Sequence, residues 1–133
     1  MKRRVLLVDD DESVLLTLKA VLELHRFDVE TAISATDACA KLQTGTYEMV
    51  ITDVRMETED AGLQVVRTAQ QQTYRPVTAV LTAYPPPEQV CRSEQVESLL
   101  VKPIGTTELV RQLEALLETR KPGSLGSSPP TTL

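Results

Sequence analysis

Five short apolar runs recur along the chain: RVLLV (4–8), FDVETA (27–32), YEMVIT (47–52), PVTAVLT (76–82) and SLLV (98–101). Between them apolar residues fall at helical spacing. From about Glu12 to His25, for instance, Val14, Leu15, Leu18, Val21 and Leu22 share one face. Strands alternating with helices predict a parallel α/β sheet. The 133 residues, 41% of them hydrophobic, suffice for one core and one domain.

Helix boundaries are also legible. In SATDACAKLQTG, Ser34 and Asp37 suit a capping box and Gly45 a C-terminal stop. A third helix is expected from Gly62 to Gln72, with Leu63, Val66 and Ala69 inward. The fourth must begin after YPPP, since proline is tolerated only in a first turn. The last runs from about Thr107 to Thr119, with Thr106 as its cap and Leu109, Leu113, Leu116 and Leu117 on its buried stripe. The outer face of that helix is a candidate homodimer surface. From Lys121 the chain turns to Gly, Ser, Pro and Thr. Such a segment buries too little apolar surface to offset its ordering entropy, so the expected division is a domain over 1–120 and a flexible tail over 121–133.

Composition narrows the function. A net charge of -5 weighs against a nucleic-acid backbone as the main partner. No apolar run approaches the roughly 20 residues that cross a bilayer. The apolar stretch after the basic start is too short for a signal peptide, so a cytoplasmic protein is expected. Cys39 and Cys91 have no metal-ligand spacing, and His25, near a helix end with no neighbouring ligand, reads as structural.

The strands end on polar groups. Asp9 and Asp10 follow the first, Asp53 the third, Thr82 ends the fourth and Lys102 follows the fifth. Ligands of an open parallel sheet bind outside the carboxyl ends of its strands. Three carboxylates meeting there repel unless a cation balances them. Mg2+ with retained waters suits so shallow an oxygen site. A carboxylate beside Mg2+ can attack a phosphoryl group and form an aspartyl phosphate, with Lys102 and Thr82 facing the transferred oxygens.

LLVDDDES, VITDVRM, VLTAY and LLVKPI, in this order and approximate spacing, resemble the receiver domain of two-component response regulators. The resemblance covers about residues 3–119. It implies a doubly wound (βα)5 flavodoxin-like fold with strand order 2-1-3-4-5. It further implies that Asp53 is the phosphoacceptor for a histidine kinase or phosphotransfer protein. Asp10, Asp53 and the main-chain carbonyl of Arg55 would hold Mg2+, with Asp9 acting mostly through water. Thr82 would hydrogen-bond the phosphoryl group, Lys102 would pair with it, and the Lys102–Pro103 peptide would be cis. Such a domain catalyses only its own phosphoryl transfer and dephosphorylation.

The chain departs from the family pattern in four places. The loop METEDAG lacks proline after Met56, and Gly62 comes one residue late. Leu99 stands where an aromatic is usual, so that ring's inward swing has no counterpart. The Thr82–Lys102 interval is short, which predicts a short or irregular fourth helix. Arg55 and Tyr84 flank the site, where they would screen a phosphoryl group from water. Two rival functions follow: a phosphorylation-independent interaction module, and a small Mg2+-dependent phosphatase. The phosphatase would want a second acid two residues past its nucleophile, and Arg55 stands there.

Overall fold

The computed structural model describes residues 3–119. The expected tail over 121–133 lies outside the described residues. Strands and helices alternate throughout: β1 (Arg3–Val8), α1 (Glu12–Leu24), β2 (Phe27–Ala32), α2 (Ala35–Thr44), β3 (Met49–Thr52), α3 (Ala61–Gln70), β4 (Val77–Thr82), α4 (Glu88–Ser93), β5 (Ser98–Val101) and α5 (Thr106–Thr119). All strand pairs are parallel, in the order β2-β1-β3-β4-β5. This is the doubly wound architecture and strand order that the sequence resemblance implies.

Strand alternation divides the core between two faces. Val5 and Leu7 of β1 pack with Leu15 and Leu22 of α1 and with Leu109, Leu113 and Leu117 of α5. Leu6 and Val8 point the other way, into a cluster with Ala35, Ala38 and Leu42 of α2 and Ala61, Val65 and Ala69 of α3. The alanines let α2 and α3 lie close to the sheet. Each fully buried leucine contributes roughly 2 kcal/mol relative to an exposed one.

Local chemistry fixes the helix ends. Asp11 caps α1, its Oδ1 accepting from the backbone N–H of Ser13 at 2.9 Å and of Val14 at 3.4 Å. His25 closes that helix, with its Nδ1 3.0 Å from the Val21 carbonyl, in the structural role expected. The capping box at α2 is only half formed. Ser34 Oγ accepts from Asp37 N–H at 3.0 Å, but Asp37 Oδ2 takes the N–H of Ile33 and pairs with Lys41. Asp is one methylene shorter than the Glu of a full box, and it reaches the preceding residue rather than Ser34.

Several boundaries differ from expectation, β1 and β4 by one residue at their starts. β3 is shorter than YEMVIT, beginning at Met49, although Glu48 still bonds the Arg4 carbonyl through its N–H at 2.8 Å, and the buried Tyr47 donates its hydroxyl to Glu30 at 2.8 Å. α3 starts at Ala61 and ends at Gln70, where Gln71 N–H divides between the carbonyls of Arg67 and Thr68 and tightens the last turn. α5 already includes Thr106, so the first helical bond runs from Leu109 N–H to the Gly105 carbonyl and Thr106 is not the cap. The expectation for α4 holds: it is six residues long and buries none of them.

Candidate functional site

The backbone ladder continues one residue past the strands. Asp9 N–H donates to the Ala32 carbonyl at 3.1 Å, and Asp53 N–H to the Val8 carbonyl at 3.0 Å. Val8 and Thr52 are register partners, so Asp9 and Asp53 leave neighbouring strands at the same level. On the other side Thr82 pairs with Val101, and Lys102 N–H donates to the Thr82 carbonyl at 2.9 Å. The lysine side chain then reaches across the strand ends. Its Nζ donates to Asp9 Oδ2 at 2.8 Å and to Asp53 Oδ2 at 3.0 Å. The Lys102–Pro103 peptide is cis.

Each carboxylate is also held by its own loop. Asp9 Oδ1 accepts from Asp11 N–H at 3.0 Å, and Asp53 Oδ1 from Val54 N–H at 2.7 Å. Thr82 is fully buried, and its Oγ1 accepts from Tyr84 N–H at 3.2 Å, which leaves the hydroxyl proton free to donate. Asp10 is exposed at the rim.

The charge balance of this cluster is uneven. One ammonium serves two carboxylates. Burial pushes the carboxyl of Asp9, only 3% exposed, above its ordinary range, and the bonds from Lys102 and the Asp11 N–H only partly offset it. Burial by itself would lower the pKa of Lys102. Hydrogen bonds to Asp9 and Asp53 outweigh it and hold the ammonium above its ordinary value. The Asp9 shift comes first from burial, whereas the count of groups, one ammonium against two carboxylates, leaves the cluster with excess negative charge that favours a further cation or proton.

A family model for the response regulator receiver domain matches residues 5–114. This chain belongs to that family. Among curated receiver-containing relatives, it is 30% identical over 127 residues to the regulatory protein VanRB of Enterococcus faecalis, covering 94% of this chain and 56% of that protein. It is 30% identical over 131 residues to the transcriptional regulatory protein PrrA of Mycobacterium tuberculosis, covering 98% of this chain and 55% of that one. The chain thus spans about half the length of these relatives. Solved receivers share its fold. A CheY-like receiver domain protein from Methanospirillum hungatei superposes with TM-score 0.83 at 20% identity, covering 90% of this chain and 97% of that one. The response regulator TrrA of Thermotoga maritima, solved in complex with Mg(2+)-BeF, gives TM-score 0.76 at 28% identity, covering 87% and 99%.

Within this receiver, the structure gathers Asp9, Asp53 and Lys102 in direct contact and sets Thr82 beside them through the backbone. Of the three carboxylates expected at the strand ends, Asp9 and Asp53 meet at Lys102 and Asp10 is exposed. Among the described residues no three His, Cys, Asp or Glu side chains are grouped to hold a metal. Lys102 occupies the place between two of the acids, and the third stays in solvent. The donor set still fits Mg2+, which keeps several waters and is held through one or two carboxylates. The excess negative charge is what such an ion would neutralise.

Arg55 and Tyr84 close the outer rim, the guanidinium lying 4.5 Å from the centre of the ring. This stack joins the loop after the acceptor to the loop after Thr82. A cation–π contact at so exposed a place contributes about 0.5–1 kcal/mol.

Two residues beyond the acceptor, Glu57 in its loop and Gly62 at the start of α3, have roles that spacing alone did not disclose. Gly62 donates its N–H to the Val54 carbonyl at 2.8 Å, and a Cβ there would stand 1.9 Å from the Asp53 carbonyl oxygen. Its late arrival in the sequence therefore leaves the close approach intact. Glu57 accepts from the backbone N–H of Ala35 at 3.0 Å and of Thr36 at 3.2 Å, at the start of α2. Although what burial it has works the other way, those bonds keep its carboxyl below the usual range. A glutamate in an acid-rich loop gives no sign in sequence that a helix start about 20 residues upstream will meet it.

Proposed function

We propose that this receiver is a phosphorylation switch, with Asp53 accepting a phosphoryl group from a histidine kinase or a phosphotransfer protein in the cytoplasm. The observation that carries the proposal is the single ammonium of Lys102 shared by Asp9 and Asp53 at the strand ends. Asp53 is the acid of this pair that is partly open to a donor, while Asp9 is sealed beneath it.

A carboxylate oxygen of Asp53 attacks phosphorus, and the bond from phosphorus to the donor atom breaks, its electron pair leaving with the donor. Lys102 then exchanges its bond to Asp53 Oδ2 for one to a phosphoryl oxygen, keeping Asp9 as its anchor. Thr82 donates its free hydroxyl proton to another phosphoryl oxygen. Asp10, Asp53 and the Arg55 carbonyl, with Asp9 behind them, are the groups to hold Mg2+, which supplies charge neutralisation at the transferring oxygens. Lys102 changes one partner while its bond to Asp9 keeps the ammonium at the strand ends, so the stabilisation is largely preorganised.

The test is incubation with Mg2+ and acetyl phosphate followed by intact-mass measurement. We expect the mass gain of one phosphoryl group, absent in Asp53→Asn and suppressed by chelation. An unmodified wild-type protein would favour the interaction module, and continuing turnover of phosphoesters the phosphatase.

A further inference from the structure

The structure links the acceptor loop to α2 through one side chain, and that link has no counterpart in the acceptor chemistry above. Helix α2 has three N–H groups in its first turn to satisfy. Ser34 Oγ takes that of Asp37. The remaining two, on Ala35 and Thr36, donate to the two carboxylate oxygens of Glu57, which comes from the loop after β3. Glu57 is exposed, so burial does not force it there. The negative charge sits at the positive end of a helix dipole, and both oxygens are used.

Next to it, Met56 packs against the cluster containing Ala32, Ala35 and Ala61, and its N–H donates to the Thr58 carbonyl at 3.0 Å. At the other end of the same stretch, Gly62 N–H holds the Val54 carbonyl. The three residues 54–56 are therefore fastened at both ends. They matter to the acceptor because Val54 N–H orients the Asp53 carboxylate at 2.7 Å.

We infer that Glu57 is a positioning residue: by clasping the α2 N-terminus it fixes the backbone of residues 54–56, and through it the Asp53 carboxylate and the Arg55 carbonyl. The inference rests on the phosphoacceptor reading of Asp53. It goes beyond that reading in making the start of α2 part of the acceptor's support. Glu57 touches no reacting atom. Its effect is indirect, through the angle at which the loop presents its oxygens.

A purely structural cap at α2 would behave differently, and Ser34 supplies the control. Ser34→Ala weakens the same helix start without touching the loop. Mg2+ affinity is read by calorimetry, the acetyl-phosphate adduct rate by mass, and the melting temperature by circular dichroism, for wild type, Ser34→Ala, Glu57→Gln and Glu57→Ala. We expect Glu57→Ala to weaken Mg2+ binding roughly tenfold and to slow adduct formation, as loss of a group that orients ligands does. Glu57→Gln should fall between, and Ser34→Ala should lower only the melting temperature. Equal Mg2+ affinity in wild type and Glu57→Ala overturns the inference, as does an equal loss in Ser34→Ala. Wild-type protein that takes up neither Mg2+ nor a phosphoryl group overturns the underlying reading instead, which keeps the two failures apart.

Discussion

The two strands on either side of β4 are built differently. All four residues of β3 are buried, and the acceptor follows directly from it. In β5 only Leu100 is buried, while Leu99 and Val101 are 37% and 48% exposed. The helices repeat the contrast. α3 buries six residues, whereas the α4 that follows β4 buries none and is tied down by polar groups: Arg67 bonds both carboxylate oxygens of Glu94 at 2.9 and 2.7 Å, and Gln70 donates to the Glu94 carbonyl at 2.8 Å. Lys102 spans the two halves. The acids are thus mounted on a packed, rigid side, and their counter-charge comes from a lightly packed one. A change of charge at Asp53 has more freedom to move the second than the first, because local stability follows buried apolar contact.

The contrast can be attacked first at its rigid side. Gly62→Ala would drive a Cβ into the Asp53 carbonyl, and we expect a loss of about 3 kcal/mol or more in denaturant unfolding. A small loss would mean that the acceptor loop is looser than its packing implies.

The bridge comes next. Lys102→Met leaves Asp9 and Asp53 facing each other without an ammonium, and we expect a loss of about 2 kcal/mol at neutral pH, partly restored by Mg2+. The wild-type contribution of Lys102 is fully present below its ordinary pKa of 10.5 and is lost as pH rises through its higher folded value. Thermal melts of both proteins between neutral and strongly alkaline pH should therefore converge.

Asp9→Asn should act in the opposite direction. Because the folded pKa of Asp9 is raised, the stability linked to its protonation is present below 3.8 and lost as pH rises through the folded value. At neutral pH the asparagine variant should be more stable than wild type, and the gain should vanish at low pH. Equal or lower stability at neutral pH would contradict the burial cost assigned to the Asp9 charge.

The smallest effect is expected on the loose side. Arg67→Ala removes an exposed bidentate pair and should cost about 0.5–1 kcal/mol globally. Amide exchange should nevertheless quicken markedly in α4 and leave α3 nearly unchanged. Uniform quickening would show that the two halves open together.

How much of this was legible in the sequence follows the same division. The packed elements could be read because burial on both faces makes apolar runs: VLLV and VTAVLT announced β1 and β4, and the polar residues at their ends, Asp9 and Asp10 after the first and Thr82 on the second, announced the site. The short α4 was also foreseeable, from three consecutive prolines. What could not be read were contacts made by single polar side chains across the fold. Nothing in METEDAG signals that Glu57 meets α2, and nothing at Lys102 says that its ammonium takes two partners at once. Strand ends likewise give the level of a residue, but not how deeply it is buried: Asp9 is buried and Asp10 exposed.

The central claim is that one ammonium shared by two carboxylates leaves a charge deficit that Mg2+ fills beside Asp53. Calorimetric titration of the wild-type protein with Mg2+ at neutral pH tests it most directly. A single saturable site, weakened at least severalfold in Asp53→Asn, is the predicted result. Absence of any saturable uptake, or the same affinity in both proteins, would contradict it.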